Sequence, residues 1–266
     1  MTNSLTQWRA AFTLGALILC LVSVGDLLSH AQTPQPRGAI RLKVRYKTGD
    51  LTKELPRQRF FLIAGSLEEN KALAETIKQT AITSRECYYR AKGASEQLIK
   101  WLGVNDCESI YCRAIEENYL TGSEAVPEFK SAYYAALTEL KSPETARRWL
   151  PNYLPAEIRD GYYLSQQRAI DTLVKQAETL TGKPVMSIMT DRKGTAYLTD
   201  VAQGTYTISN LIPSETEKSN ILWLCEREVK AADLSIAMRR PFILSNEKDP
   251  KVKCEVIERP LPVCEK

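Results

Sequence analysis

Two β-rich segments that flank a long helical stretch constrain this fold more than any other feature of the sequence. In the first, residues 39–47 alternate strictly, with apolar side chains from Ile40 to Tyr46 on one face and basic side chains on the other. A period of two is typical of a strand with one buried face. Residues 60–63 are four consecutive apolar residues, which predicts a strand covered on both faces. Residues 39–65 therefore hold the first strands of a β domain.

The second β-rich segment spans residues 184–245, where short apolar runs are separated by turn residues. The predicted strands lie at 185–189, 195–198, 205–208, 222–229 and 234–238. Short strands at regular spacing are typical of an antiparallel sandwich. The two early strands are too few to be stable alone, so we expect them to pair with the later ones in one sandwich.

The intervening residues, 66–183, have the pattern of successive helices. They begin at a capping box, Ser66 to Glu69, and end at Gly182 as a C-cap. The first four predicted helices lie at 67–80, 95–102, 107–120 and 126–140. A short fifth begins at Pro143, after the N-cap Ser142. The sixth spans 155–180, and Gly161 allows a break within it. The predicted fold class is therefore α+β, an antiparallel β-sandwich interrupted by a large all-helical insertion.

The turn and strand that follow residue 189 carry a motif. Its residues are Thr190, Asp191, Gly194, Gly204 and Tyr206. This stretch resembles the carboxypeptidase regulatory-like domains and is similar to the pilin B-type repeats of bacterial surface proteins. The resemblance covers roughly residues 38–65 and 184–245 and does not extend to the helical insertion. It implies a transthyretin-like sandwich in which the motif residues are structural, with glycine permitting a positive φ and the tyrosine ring packing at the sandwich edge.

The N-terminus has the features of a secretion leader. Residues 10–25 are apolar or small and uncharged, and Ser29 and Ala31 occupy the −3 and −1 positions that a signal peptidase prefers. We therefore predict a signal peptide at 1–31 and a linker at 32–38. The alternative is an uncleaved membrane anchor, although the apolar run is shorter than the roughly 20 residues of a spanning helix.

Cleavage after residue 31 leaves six cysteines. They are Cys87, Cys107, Cys112, Cys225, Cys254 and Cys264. An even number in an exported chain predicts three disulfides, and free thiols are the alternative. Because three cysteines lie in the helical insertion and three after it, an odd number of bridges must cross between the regions. The pairing that we choose joins Cys107 with Cys112, Cys254 with Cys264 and Cys87 with Cys225, and ties down a C-terminal tail at 246–266.

Cleavage also removes His30, the one histidine of the sequence. Ser-His-Asp, Cys-His and histidine-zinc sites are then excluded, and no phosphate-binding or dinucleotide-binding motif is present. Calcium at Asp191 and Asp200 is an alternative, but aspartates beside a tight turn more often form the turn itself. We predict no cofactor and no metal. A net charge of +4, without any block of five like charges, also argues against nucleic acid as a partner.

The helical insertion is rich in tyrosine. It holds nine of the 12 tyrosines, and three doublets are among them, Tyr88–Tyr89, Tyr133–Tyr134 and Tyr162–Tyr163. The doublets indicate either a groove for a sugar or peptide or, as we favour, a core ring with its neighbour ~100° round the helix at the boundary.

The sequence therefore predicts a non-enzymatic exported binding or structural module, periplasmic or extracellular, with a protein or carbohydrate as its ligand. A membrane association is expected only if the leader is not cleaved. The alternative is a carbohydrate-active hydrolase that uses two carboxylates of the helical insertion. The candidate pairs are Glu68–Glu69, Asp106–Glu108 and Glu116–Glu117, for which a solvated helix face is the favoured interpretation.

Overall fold

The computed structural model describes residues 37–80, 83–104, 107–231, 240–247 and 249–264. The predicted signal peptide, most of the linker and the strand expected at 234–238 lie outside these residues. The described strands are β1 (Arg37–Thr48), β2 (Leu51–Glu54), β3 (Arg59–Ala64), β4 (Met186–Met189), β5 (Thr195–Ala202), β6 (Gly204–Ser209), β7 (Ser214–Glu215), β8 (Ser219–Val229), β9 (Phe242–Leu244) and β10 (Cys254–Pro260). The described α-helices are α1 (Lys71–Gln79), α2 (Arg85–Ala91), α3 (Glu96–Val104), α4 (Pro127–Leu140), α5 (Pro143–Trp149), α6 (Ala156–Arg159) and α7 (Gly161–Thr181). The α+β class is confirmed.

The strands form two sheets. In the smaller sheet β1 pairs with β2 and β5 in antiparallel fashion and with β9 in parallel fashion, so this sheet is not purely antiparallel. The larger sheet has the order β10-β8-β6-β3-β4, with β7 also paired to β8, and is antiparallel throughout. Since β1 pairs with β5, and β3 with β4 and β6, the expected pairing of early with late strands is confirmed.

The two sheets share one apolar core. The alternation in β1 buries Ile40 and Val44 against the larger sheet, as its period of two predicts. Across the core the rings of Phe60 and Trp223 lie with their centroids 5.9 Å apart. Strand β3 is buried on both faces, because Phe60 faces this core while Phe61 faces the helices on the other side of the sheet. The prediction of a doubly covered strand is confirmed.

The helices of the insertion form two groups. Helices α1 and α7 cover the outer face of the larger sheet, where Ile77 and Leu173 pack against β3 and β8. Helices α2 to α6 and the start of α7 surround a separate core, in which Trp101 packs edge-on against Phe129 at 5.0 Å. The chain therefore has a sheet-helix layer and a smaller helical cluster beside it. Within the described ranges, no helix combines the length and apolar character needed to cross a bilayer.

Several helix ends have the predicted chemistry. The hydroxyl of Ser142 accepts a hydrogen bond from the Thr145 amide ahead of α5, and Gly182 ends α7 in a left-handed conformation with φ +62°. The capping box also forms, since the Ser66 amide donates to the Glu69 carboxylate at 2.6 Å. The capping box closes a turn that precedes α1, and not the first turn of the helix itself.

The helix predicted at 107–120 is wrong. This stretch contains two 3₁₀ turns, Ile110–Cys112 and Glu117–Tyr119. A disulfide between Cys107 and Cys112 explains the difference, because residues five apart in an α-helix point ~140° apart and cannot be bridged. Helix α2 was not predicted from the sequence.

All six described cysteines are paired. The Cys107–Cys112 bridge is as predicted, and one bridge crosses between the helical insertion and the segment after it, as the parity argument requires. The other two pairings were wrong, since the bridges are Cys87–Cys264 and Cys225–Cys254. The reason is that residues 246–266 are not simply a tail. They contain β10, whose register on β8 places Cys254 directly opposite Cys225. Three disulfides indicate an oxidising environment.

Candidate functional site

The candidate site is a cleft between α7 and the adjoining ends of β3 and β4. It has a volume of about 140 Å³. We call it the junction cleft, because α7 belongs to the helical insertion and the strands to the sandwich. The polar residues that line it are Arg57, Gln58, Arg59, Glu108, Tyr162, Tyr163, Gln166, Gln167, Asn210 and Ser214. They come from four separate parts of the chain.

Thr190 holds the loop that carries Arg57 and Gln58. Its hydroxyl donates to the Leu55 carbonyl at 2.8 Å and accepts from the Gln58 amide at 2.9 Å. The Arg57 amide donates to the Thr190 carbonyl at 3.0 Å, and Arg57 has a left-handed backbone with φ +56°. Such a conformation is unfavourable for a residue with a Cβ and persists only where its surroundings impose it. The first residue of the sequence motif thus positions one wall of the junction cleft.

A chain of hydrogen bonds sets the orientation of the Gln58 amide. The Trp223 amide donates to Asn210 Oδ1 at 2.9 Å, and Asn210 Nδ2 donates to the Ile221 carbonyl and to Ser214 Oγ, both at 2.9 Å. Because this hydroxyl already accepts from Asn210, its proton is directed to Gln58 Oε1 at 2.7 Å. Gln58 Nε2 then points away from the chain of hydrogen bonds as a donor.

Two buried polar groups on α7 also line the junction cleft. Gln166 and Tyr162 are 9% and 7% exposed, and neither side chain makes a hydrogen bond to any residue that the structure describes. The ring of Tyr162 packs against Tyr88 and Tyr89, with centroids 5.6 and 6.2 Å away. Burial raises the pKa of the Tyr162 hydroxyl, which therefore stays protonated and able to donate. Neither side chain has a fully buried polar atom that lacks a partner, so their polar groups are open to water, and to a ligand, from the cleft.

Two larger depressions also lie on the surface of the described chain. One, of about 850 Å³, lies beside residues 262–264, and the other, of about 880 Å³, beside residues 243–256. The charged groups that line the first are paired with one another, Arg90 with Glu86 and with Glu96. In the second, Glu247 pairs with Lys47 of β1, and Arg45 has a buried Nε without a hydrogen-bond partner in the described chain. The junction cleft is smaller, but it brings together two arginines that have no ion pair in the described chain and Gln58, whose amide is oriented as a donor, and we therefore take it as the candidate site.

The remaining motif residues build the sandwich and do not line the junction cleft. Asp191 Oδ1 accepts from the backbone amides of Lys193 at 2.8 Å and Thr195 at 2.9 Å. The Thr195 amide is the main reason that the pKa of Asp191 is lowered. The Tyr206 hydroxyl donates to the Ala202 carbonyl at 2.9 Å, across the turn that precedes β6. Gly194 and Gly204 have φ of +64° and +151°, respectively.

The aspartates considered as calcium ligands have other partners. Asp191 forms its own turn, and Asp200 is 2.9 Å from Arg37 in an ion pair. Among the described residues there is no group of three His, Cys, Asp or Glu side chains placed to hold a metal ion.

The carboxylate pairs considered for hydrolysis are mostly engaged elsewhere. Glu69 closes the capping box, and the backbone amide of Ser66 lowers its pKa, opposite to the shift that a general acid needs. Glu116 pairs with Arg113, and Glu117 lies 3.2 Å from Arg147. Of the last pair, Glu108 lines the junction cleft, while residue 106 lies outside the described residues.

Two of the three tyrosine doublets divide between core and boundary as favoured. Tyr89 and Tyr162 are buried, while their neighbours Tyr88 and Tyr163 lie at the boundary. In the third doublet Tyr133 is half-buried and Tyr134 exposed. The 100° step along a helix accounts for the division.

Sequence reasoning did not identify the residues of the junction cleft. Of its lining, it singled out only the doublet in α7 and Glu108, and it interpreted both structurally. Arg57 and Gln166 carry no local signal, because they are distant in the sequence and meet only in the fold. Comparisons with models of known families, with curated proteins and with solved structures found no match to this chain.

Proposed function

We propose that this protein is an exported, non-enzymatic binding module, whose junction cleft receives one polar group of a partner polypeptide. The observation that carries the proposal is a pair of side chains, Gln166 and Tyr162, that line the cleft and have no hydrogen bond to another residue in the described chain. Water that enters the cleft can satisfy these groups in the free protein, so a ligand must replace it with hydrogen bonds of its own.

The size of the junction cleft favours a polypeptide over a small molecule. Sites for drug-sized ligands usually have volumes of roughly 300–1,000 Å³, and the cleft has about 140 Å³. It accommodates one side chain or chain end, while the rest of the ligand lies on the surface outside. The exposed ring of Tyr163 and the half-buried Gln167 offer contacts at the mouth.

The proposal includes a sandwich of the carboxypeptidase regulatory-like kind. Supporting it are the turn around Asp191, the positive φ of Gly194 and the hydrogen bond from Tyr206 back to Ala202. Thr190 adds a link to function, because it anchors the loop that bears Arg57. Domains of that kind bind or stabilise, which agrees with a module that holds its ligand without chemistry.

Export is the second part of the proposal. It is supported by the leader-like residues 1–31 and by three disulfides in the described chain. The intact mass of the native protein should correspond to a chain that begins at Gln32. A mass that retains the leader would favour a membrane anchor instead.

Binding is tested on arrays of short peptides and of glycans with the native protein and two cleft variants, Gln166→Leu and Tyr162→Phe. The variants should lose peptide binding, while Gln203→Leu, in an exposed turn, should retain it. Because the Gln166 amide has no partner in the described chain, its replacement should not lower the melting temperature. Undiminished peptide binding by both cleft variants would refute the site, and binding to glycans alone would refute the ligand class.

A further inference from the structure

The charges that line the junction cleft select the kind of group that enters it. Arg57, Arg59 and Glu108 are its charged lining residues. Neither arginine has an ion pair with a residue in the described ranges. A guanidinium offers only donors, in a planar arrangement that matches the two oxygens of a carboxylate.

The neutral groups of the junction cleft add donors. Gln58 presents Nε2, because its Oε1 is taken by the Ser214 hydroxyl at 2.7 Å. The protonated hydroxyl of Tyr162 is a further donor on the opposite wall. A group that satisfies these residues must therefore accept several hydrogen bonds at once.

From this arrangement we infer that the bound group is a peptide carboxylate, held by Arg57 and Arg59 and oriented by Gln58. The inference rests on the proposed binding function and names its ligand. A carboxylate presents two coplanar oxygens, which match the planar donors of a guanidinium. A chain terminus and an acidic side chain share this chemistry, and the experiment separates them.

The experiment follows the side-chain NMR signals of Gln58 and Gln166 in the disulfide-bonded protein. The probes are a trialanine peptide with acetylated N-terminus and free carboxylate, its C-terminal amide, an amidated peptide with one internal glutamate, and inorganic phosphate. The free acid, the glutamate peptide or both should shift these signals at concentrations at least about tenfold lower than the neutral amide. Which of the two acts at the lower concentration identifies the chain terminus or the side chain as the source.

The arginines are tested by a double variant, Arg57→Gln with Arg59→Gln, with Arg192→Gln in the exposed β4–β5 turn as the control. A lost charge-assisted hydrogen bond should weaken carboxylate binding about 10- to 100-fold, and the control should bind like the native protein. Equal affinity for the free acid and the neutral amide would overturn the carboxylate while leaving cleft binding intact. Stronger binding of phosphate would also overturn it. Signals that no peptide moves would instead refute the proposed function itself.

Discussion

Replacement of Gly194 by alanine tests the turn that joins the two sheets. The new Cβ would lie 2.5 Å from the Val44 carbonyl oxygen and 3.2 Å from the Leu55 nitrogen, so the backbone must move. That carbonyl accepts from the Leu55 amide at 3.1 Å, and the Val44 amide donates to the Gly194 carbonyl at 2.7 Å. A left-handed alanine costs about 1–2 kcal/mol, and weakening two hydrogen bonds adds about 0.5–1.5 kcal/mol each. We expect Gly194→Ala to lower the free energy of unfolding by about 2–5 kcal/mol.

Gly49 provides a matched control. Its φ is +60°, close to the +64° of Gly194, but a Cβ there would meet nothing within 4 Å. Gly49→Ala should therefore show only the backbone cost, about 1–2 kcal/mol. The unfolding of both variants is measured by titration with guanidinium chloride, with the disulfides intact, and the loss of secondary structure is followed by circular dichroism. Equal losses of stability would refute the steric argument, because the two positions differ in their neighbours and not in their φ.

Two further predictions concern the crossing disulfide and pH. Cys87 and Cys264 are 177 residues apart, and replacing both with serine should lower the free energy of unfolding by about 5 kcal/mol in the chain-entropy model. The same replacement of Cys107 and Cys112 should lower it by about 2 kcal/mol, because this bridge closes a much shorter loop. Equal losses in denaturant titrations would contradict the effect of loop length. Because backbone amides lower the pKa of Asp191, its stabilising effect should be complete above the unfolded pKa of about 3.9 and be lost as pH falls through the lowered value. The native protein should therefore melt at a higher temperature than Asp191→Ala at neutral pH, and this difference should shrink as the pH is lowered. A difference that stays constant from neutral to strongly acidic pH would contradict the stabilising role of the Asp191 carboxylate.

The sequence by itself determined the features that depend on near neighbours. The alternation in β1 decided which face is buried, and Ser142 and Gly182 decided where two helices begin and end. Each of these rests on backbone geometry within one or two turns, so composition and spacing are sufficient. The need for early strands to find late partners also followed from the sequence, because a two-stranded sheet is not stable alone.

Only the tertiary structure decided what depends on strand register and on contacts between distant segments. The pairing of Cys225 with Cys254 follows from β10 lying on β8, and the polar residues of β10 gave no local sign of that register. The junction cleft was likewise invisible, since Arg57 and Gln166 become neighbours only when α7 packs across the sheet. The physical reason is that burial and pairing belong to the whole fold, whereas a sequence pattern reports only on residues that are close along the chain.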